Sequence, residues 1–349
     1  MNPKRRIIPI FVPHEGCGYS CVYCDQHTVS GVTGQTETEN VKGLIQTVIS
    51  ESVRLKDNKL ENDSINDVYQ PVEIAFYGGS FTAISVTRQN ELLEAVSPLL
   101  SLNPLCSIRV STRPDCIDDQ IIERLRNQGV KTIEIGAQSM CHDVLSASRR
   151  GHTALDVETA AARIKEAGLE LILQMMTGLP CDTAEKSIYT AKRLIGLKPD
   201  GVRIYPTVIL KDTKLHEMWK LGQYKEHTTD EAVALCAVIV PLFEAAGIPV
   251  IRLGLNPSEV LTSGQAAAGA YHPAFGELVY SRIYYELAAG LLKDVPPGCD
   301  IELVVAKGNI SKMTGNRRHN IKKLMKTFSL RSLKVTEAEL TPGEKIILK

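Results

Sequence analysis

Residues 7–24 read IIPIFVPHEGCGYSCVYC, a short apolar run that stops at Val12 and is followed within a few residues by three cysteines. Similar β-branched runs recur as far as about residue 255, and longer amphipathic segments separate them. This alternation is the pattern of repeated β-α units that build a parallel sheet. The sequence therefore predicts an α/β fold whose first strand leads directly into the cysteines.

The β-α units predict a partial (β/α)6 barrel of the TIM type, because six strands are too few to close the full eight-stranded ring. The six runs cover residues 7–12, 72–77, 107–111, 132–137, 170–176 and 201–205, and residues 250–253 form a candidate seventh. Helices are predicted between them over residues 38–55, 87–100, 118–128, 154–167, 183–194 and 230–246. The Asn- and Asp-rich stretch 56–70 is predicted to be an inserted surface loop.

A change in composition near Asn256 predicts a second, smaller part of the chain. Pro257, Ser258 and a run of small residues over 263–270 come before a tail with its own helix and strand signals. We expect a barrel over residues 1–255 and an α+β extension over residues 256–349. Within the extension, helices are predicted over residues 275–292 and 320–328.

The overall composition is that of an ordinary globular protein, with 44% hydrophobic and 23% charged residues in 349. Lys and Arg total 40 and balance 40 Asp and Glu, so the net charge indicates no class of partner. No uninterrupted apolar stretch of about 18 residues could span a bilayer, and the N-terminal apolar run is short and contains Pro9. Because the other six cysteines are isolated and no export signal is visible, we expect a reducing cytoplasm and no membrane.

The three cysteines, Cys17, Cys21 and Cys24, carry the strongest chemical signal. Three thiolates can hold a four-iron cluster and leave one iron open to bind a substrate. The alternative is a structural zinc site completed by His14 or His27. Such sites usually combine two pairs of ligands separated by a loop, and no second pair of that kind follows in the sequence.

The spacing Cys-x-x-x-Cys-x-x-Cys, with the aromatic Tyr23 before the last cysteine, resembles the signature of the radical S-adenosylmethionine (SAM) enzymes. The resemblance implies a 4Fe-4S cluster on Cys17, Cys21 and Cys24, with SAM bound at the open iron and Tyr23 beside the adenine. It also implies reductive cleavage of SAM to a 5′-deoxyadenosyl radical, which abstracts hydrogen from a substrate carbon. An external electron donor of the flavodoxin or ferredoxin type would supply the electron.

Polar residues and glycines follow several predicted strands, at the edge where a barrel of this type binds its ligands. After the second strand come Gly78, Gly79 and Ser80, followed by Phe81. Two glycines let the backbone approach a ligand closely. Radical SAM enzymes bind the methionine amino group at a Gly-Gly motif in this place, and Gly-Gly-Ser-Phe is similar to the version in the Elongator catalytic subunit.

After the third strand, the block Ser-Thr-Arg-Pro-Asp spans residues 111–115. One interpretation is structural, because Asp115 or Asp118 can satisfy the free N–H groups at the start of the next helix. The same block is found in the radical SAM part of the Elongator catalytic subunit, where its first positions face the SAM ribose. The resemblance therefore makes Ser111 and Arg113 candidates for SAM contacts.

Alternation along the fourth strand puts Glu134, Gly136 and Gln138 on one face. If that face is the barrel interior, a carboxylate there requires a partner, whereas an amide at the rim can bind ribose hydroxyls. Gln138 and Arg150 resemble a pairing in the oxygen-independent coproporphyrinogen oxidases, where the arginine meets the SAM carboxylate. Arg149 is the neighbouring alternative.

Two further candidates follow the fifth and sixth strands. Gln174 precedes a Gly-Leu-Pro turn at a position that contacts ribose in the resembled families, where Asp is often found. Tyr205 opens a stretch, residues 205–224, that is similar to the Elongator catalytic subunit. We expect no counterpart of that subunit's acetyltransferase domain in residues 256–349, which are too few for one and lack its Gln-x-x-Gly-x-Gly loop.

The segment 307–334 contains nine basic residues and no Asp or Glu. Lys322, Lys323 and Lys326 lie on nearby turns of the predicted helix 320–328, so that one face could follow phosphates. A solvated helix face is the alternative. The resemblance to the Elongator catalytic subunit and this basic segment together imply a tRNA or other RNA base as the substrate, with a small or tetrapyrrole molecule as the second candidate. A different class is a nucleic-acid-binding protein whose iron-sulfur or zinc site is structural or redox-sensing.

Overall fold

The structure is a computed structural model, which describes residues 5–13, 15–18, 20–25, 28, 30, 36–57, 71–257, 261–341 and 343–349, without the side chains of residues 52–57. Seven parallel strands form the main sheet in the order β1-β2-β3-β4-β5-β6-β8. Their bounds are β1 Arg6–Val12, β2 Val72–Gly78, β3 Cys106–Thr112, β4 Val130–Gln138, β5 Glu170–Thr177, β6 Gly201–Pro206 and β8 Val250–Leu253. The predicted α/β partial barrel is confirmed, and the candidate seventh strand is one edge of its sheet.

Helices separate the barrel strands along the chain, as expected from the amphipathic segments. Their bounds are α1 Thr38–Asp57, α2 Val86–Glu94, α3 Ser97–Leu102, α4 Asp119–Asn127, α5 His142–Ala147, α6 Ala154–Glu166, α7 Ala184–Gly196, α8 Lys214–Lys220 and α9 Thr229–Ala245. Side chains cap several of them: Thr153 and Thr228 each form a reciprocal capping box with the acidic residue three positions on.

The single helix predicted over residues 87–100 is wrong, because the structure has α2 and α3 with a break at Ala95 and Val96. Pro98 lies in the first turn of α3, where its missing N–H is tolerated, whereas inside a longer helix it would remove a hydrogen bond. The predicted loop over residues 56–70 lies mostly outside the described residues, since residues 58–70 are not among them.

A two-stranded antiparallel ribbon beside the barrel was not predicted. It pairs β7, Val208–Leu210, with β9, Ala266–Gly269. Both strands are too short to produce a period, and the alanines of β9 carry no strand preference. Its pairing brings residues after position 255 back onto the barrel.

The C-terminal part forms a three-stranded sheet in the order β11-β10-β12, with β10 Asp300–Ala306, β11 Ser332–Ala338 and β12 Ile346–Leu348. Helices α10 Phe275–Leu292, α11 Ile310–Thr314 and α12 His319–Thr327 accompany it. Phe275 and Val279 at the start of α10 belong to the barrel core, whereas Ala288 and Leu292 at its end belong to the extension core. Helix α10 therefore packs into both cores, and the boundary at residue 255 stays a prediction.

Candidate active site

A cavity of about 520 Å³ opens at the carboxyl ends of the barrel strands, between the sheet and the cysteine-containing loop. Its wall includes inward-facing strand residues as well as residues of the loop. All the residues predicted from the sequence for metal or SAM binding line this one cavity: Cys17, Cys21, Tyr23, Cys24, Gly78, Gly79, Ser80, Ser111, Arg113, Gln138, Arg150, Gln174 and Tyr205.

The Gly-Gly turn and the cysteine loop cross each other in direct backbone contact. The Ser80 N–H donates to the Glu15 carbonyl oxygen at 2.9 Å. A Cβ placed on Gly79 would lie 2.0 Å from that same oxygen, and one placed on Gly16 would lie 2.2 Å from the Ser80 carbonyl oxygen. The crossing therefore requires glycine at both positions, in addition to any contact with a ligand.

Val22, which stands between the second and third cysteines, is held through its backbone on both sides. Its N–H donates to the Ser148 carbonyl oxygen at 3.2 Å, and its own carbonyl oxygen accepts from the Leu215 N–H at 2.7 Å. Its side chain is buried with Ile209, Leu215 and Tyr224. The Elongator-like stretch 205–224 thus packs on the cysteine loop, a role that its sequence did not reveal.

The three thiols supply a donor set that fits an iron-sulfur cluster, because each thiolate of such a cluster binds its own iron atom. Burial and the neighbouring Cys21 raise the pKa of the Cys17 thiol in the metal-free chain. Among the described residues, no three His, Cys, Asp or Glu side chains meet closely enough to hold a single metal ion. His14 and His27, the alternative zinc ligands, lie outside the described residues.

Arg150 reaches the cavity and Arg149 does not. The Arg150 guanidinium donates from Nη2 to the Gly136 carbonyl oxygen at 2.8 Å and from Nη1 to the Cys21 Sγ at 3.4 Å. Its Nε is buried without a hydrogen-bond partner in the described part of the chain. Arg149 is exposed and has a left-handed backbone, with φ at 52°.

Gly136 provides the space that Arg150 occupies. A Cβ at this position would lie 2.7 Å from Arg150 Nη2 and 3.0 Å from Gln138 Nε2. The sequence predicted that Gly136 shares a face with Glu134 and Gln138, but it gave no signal for this contact, because the arginine comes fourteen residues later in the chain. Any larger side chain here would displace the guanidinium.

The face of β4 that Glu134, Gly136 and Gln138 were predicted to share is the barrel interior, since all three line the cavity. A β-bulge interrupts the strand between Gly136 and Gln138, and Gln138 has a φ of 64°. Bulges re-aim side chains and are frequent beside active sites. The Gln138 Oε1 accepts from the Gln174 Nε2 at 3.5 Å, so the two predicted amides are neighbours.

The residues after β3 divide between a structural and a cavity role. Asp118 caps α4 by accepting from the Ile121 N–H at 2.8 Å, as one interpretation of the sequence expected. Asp115 instead binds the Arg113 guanidinium through two hydrogen bonds, of 2.9 and 2.8 Å. Arg113 lines the cavity with this carboxylate as its partner, and the Ser80 Oγ accepts from its N–H at 3.2 Å.

A buried charged cluster forms the floor of the cavity, and sequence reasoning identified only part of it. Arg203 Nε lies 3.0 Å from Glu134 Oε2, and its guanidinium carbon lies 4.9 Å from the centre of the Tyr77 ring. Arg203 Nη1 also donates to the Tyr205 hydroxyl at 3.2 Å. Arg109 approaches Glu134 from the other side at 3.5 Å. The two cations balance the charge of the interior carboxylate, although its Oε2 accepts no hydrogen bond among the described residues.

Burial keeps two groups near the cavity neutral. It raises the pKa of the Tyr77 hydroxyl to about 12, helped by the charge of Glu134. It also lowers the pKa of His152 to about 4, and the positive charge of Arg150 acts in the same direction. The His152 Nε2 lies 3.1 Å from the Ala137 carbonyl oxygen, so the neutral ring that donates from Nε2 satisfies the bulged strand.

Residues 11–194 match the family described as Radical SAM superfamily, and residues 199–285 match the Radical_SAM C-terminal domain. The first match covers more than half of the chain, and the chain belongs to the radical SAM superfamily, a class of enzymes. The membership predicted from the cysteine spacing is thereby confirmed. In the part of the chain that the structure describes, none of the helices combines the length and the hydropathy of a membrane span.

Curated relatives confirm the Elongator-like resemblance. The tRNA uridine(34) acetyltransferase of Methanocaldococcus jannaschii is 24% identical over 255 residues, which are 66% of this chain and 47% of that protein. Elongator complex protein 3 of Schizosaccharomyces pombe is 29% identical over 253 residues, 64% of this chain and 46% of that protein. The chain thus spans about half the length of the curated relatives that it matches.

The barrel also resembles a solved structure of the same kind. The archaeal Methanocaldococcus infernus Elp3 superposes with a TM-score of 0.60 at 19% identity, covering 81% of this chain and 63% of that chain. This similarity shows a shared fold.

Proposed function

We propose that this chain binds SAM and a 4Fe-4S cluster in the cavity, cleaves SAM reductively and directs the resulting radical at a base in RNA. The single observation that carries the proposal is the convergence of residues from Cys17 to Tyr205 on one cavity. Most of these residues come from the cysteine loop and from five strands with the turns that follow them, and Arg150 comes from the segment between α5 and α6. Together they supply thiols, amides, hydroxyls and two guanidinium groups.

Cys17, Cys21 and Cys24 would hold the cluster, each through its thiolate. When bound there, the cluster would supply the one-electron reduction that splits a carbon–sulfur bond of SAM into methionine and a 5′-deoxyadenosyl radical. An external donor of the flavodoxin or ferredoxin type would provide that electron. The protein contributes orientation and exclusion of water.

Arg150 is the best candidate for the SAM carboxylate, because the other two cavity arginines are already paired with carboxylates. Arg113 binds Asp115 and Arg203 binds Glu134, whereas Arg150 forms no ion pair among the described residues. A planar guanidinium with free N–H groups suits bidentate binding of a carboxylate. Burial has already removed water from the Arg150 guanidinium, so binding a carboxylate would not add that desolvation cost for the arginine.

The other predicted residues of the cavity wall would bind the remaining parts of SAM. Gly78, Gly79 and Ser80 would present backbone groups to the methionine amino group. The amides of Gln138 and Gln174, with Ser111, would bind the ribose hydroxyls. Tyr23 would lie beside the adenine, and Arg113 and Tyr205 would complete the wall around the nucleoside.

An RNA base is the favoured substrate because one relative is named for tRNA uridine and residues 307–334 contain nine basic residues with no Asp or Glu. The transfer of acetyl groups is not carried over, since the chain spans about half of that relative. A small or tetrapyrrole substrate is the second candidate within the same chemistry.

The test is 5′-deoxyadenosine release by the reconstituted protein. Anaerobic protein reduced with dithionite and mixed with SAM is expected to form 5′-deoxyadenosine, and Cys21→Ser is expected to abolish it. A fully occupied tetrahedral zinc centre with no iron-sulfur spectrum, together with no 5′-deoxyadenosine, would contradict the proposal. That result would favour a nucleic-acid-binding protein with a structural metal.

A further inference from the structure

The extension presents a surface on which cations accumulate without compensating acids. Residues 312–327 contain six Lys and Arg and no Asp or Glu. We name as the basic surface the cations of α11, α12 and the turn between them: Lys312, Arg317, Arg318, Lys322, Lys323 and Lys326. This stretch lies beyond residue 285, where the family matches end.

The cations of the basic surface are unpaired. Three other basic residues of the same tail have acidic partners: Lys307 has Glu339, Arg331 has Asp300 and Lys334 has Glu302. The six cations of the basic surface form no ion pair among the described residues, and all except the half-buried Lys312 are exposed. The surface therefore retains its charge for an external anion.

Two lysines of the basic surface form cation–π contacts with aromatic rings of α10. The Lys323 Nζ lies 4.5 Å from the centre of the Tyr285 ring, and the Lys312 Nζ lies 4.8 Å from the centre of the Tyr280 ring. A cation over a ring keeps its charge while its side chain is held in place. Arg282, also on α10, is neutralised by Glu286 at 2.6 Å and does not add to the surface.

The apolar face of α12 is buried, which favours RNA over a membrane as the partner of the basic surface. Ile321 and Leu324 are buried in the extension core, and Met325 and Phe328 pack partly against it. A helix that lies on a membrane inserts its apolar face between the lipids. Since the apolar face of α12 is already occupied, only its charged face is available, which suits the phosphate backbone of a nucleic acid.

We propose that the basic surface binds the phosphate backbone of an RNA. This inference rests on the proposed function for its choice of RNA rather than DNA. Contacts of Lys and Arg with phosphates position a nucleic acid and carry no sequence information. Sequence or base selection would therefore come from the cavity and not from the extension.

The experiment compares the full-length reconstituted protein with two triple variants that change the same charge. The test variant is Lys322→Gln, Lys323→Gln and Lys326→Gln, and the control variant is Arg126→Gln, Lys131→Gln and Lys192→Gln, three exposed cations of the barrel. Binding of unfractionated tRNA and of poly(U) is measured by fluorescence anisotropy from 50 to 300 mM KCl. Unfolding curves and SAM-dependent 5′-deoxyadenosine release are recorded for each variant.

The surface predicts roughly tenfold or greater weakening of RNA binding in the test variant, with the slope of log K against log salt reduced by about 2 to 3. The control variant is expected to bind within about twofold of the parent. Equal losses in both variants, or no RNA binding by the parent at 50 mM KCl, would overturn the proposal. Binding of the parent to phosphatidylserine vesicles but not to RNA would overturn it in favour of a membrane.

The SAM assay separates this inference from the proposed function. Release of 5′-deoxyadenosine without any RNA binding would support the proposed radical chemistry and contradict RNA binding by the basic surface. The opposite result is that only the test variant loses RNA binding and no variant releases 5′-deoxyadenosine. It would support RNA binding by the basic surface and contradict the proposed radical chemistry.

Discussion

The Arg150 guanidinium lies 3.4 Å from the Cys21 sulfur, although 128 residues separate the two in the chain. The same group carries a buried Nε with no hydrogen-bond partner among the described residues. A desolvated cation beside a thiol of the proposed cluster is well placed to bind an anion that reaches the cluster. The pair thus connects the metal ligands with the proposed SAM carboxylate site.

Replacing this cation is expected to weaken SAM binding. Arg150→Gln removes charge-assisted hydrogen bonds worth about 1.5–3 kcal/mol, or about a 10- to 100-fold rise in the Kd of SAM. Arg149→Gln is the matched control, since Arg149 is exposed, and its Kd should change by less than about twofold. Equilibrium dialysis of SAM with the reconstituted protein measures both. Equal effects of the two substitutions would contradict the assignment.

Space for the guanidinium depends on Gly136. Gly136→Ala places a Cβ 2.7 Å from Arg150 Nη2, so the guanidinium must move and SAM binding should fall at least tenfold. The backbone of Gly136 is not in the left-handed region, so the free energy of unfolding should change by only about 1–2 kcal/mol.

The control is Gly196→Ala, at the end of α7, where no atom lies within 4 Å of the added Cβ. It should leave SAM binding unchanged. Urea unfolding and dialysis report the two effects separately. Retention of full SAM affinity by Gly136→Ala would show that the guanidinium is not required where it lies.

Acid should destabilise the protein partly through His152. Its folded pKa of about 4 is below the ordinary value of 6.5, so its protonation favours the unfolded chain. The stability contributed by the neutral ring is present above pH 6.5 and is lost as the pH falls towards 4, by about 3 kcal/mol in total. His152→Gln, which keeps an N–H donor for Ala137, should have a flatter dependence of unfolding free energy on pH over that range.

Other groups also titrate between pH 4 and 6.5, so the informative quantity is the difference between the parent and each variant. His142→Gln, at an exposed position, serves as the control and should follow the parent curve. Parallel curves for the parent and His152→Gln would mean that the histidine is not buried as described.

Because Val22 of the cysteine loop packs and hydrogen-bonds against Leu215, we expect the structure of this loop to depend on α8. Leu215 is fully buried against Val22, and Leu215→Ala should lower the free energy of unfolding by about 2–4 kcal/mol and reduce the iron bound after reconstitution. Leu221→Ala is the control on the same segment, because Leu221 is 69% exposed. Iron content and urea unfolding are measured together. If Leu215→Ala is destabilised but binds iron fully, the contact between Leu215 and Val22 is not needed for metal binding, and the prediction is contradicted.

The barrel strands were predictable because each is a local signal. β2 and β3 each place β-branched residues at alternate positions, Val72 and Ile74 in β2 and Ile108 and Val110 in β3, and their bounds differ from the prediction by at most one residue at each end. The ribbon of β7 and β9 was missed, because its two short strands are joined by a pairing across more than fifty residues. No window of sequence contains both partners.

The residue types of the site were recognisable from the chain alone, since cysteine spacing and glycines that follow a strand are written in consecutive positions. Their partners were not. Whether Arg149 or Arg150 enters the cavity depends on the left-handed backbone at Arg149 and Gly151 and on the space beside Gly136. The carboxylate of Glu134 obtains its cations from two other strands. Periodicity and spacing act within a few residues, whereas ion pairing and steric room arise only when distant strands are brought side by side. The order of the chain was therefore sufficient to predict the class of chemistry, and folding alone selected which side chains carry it.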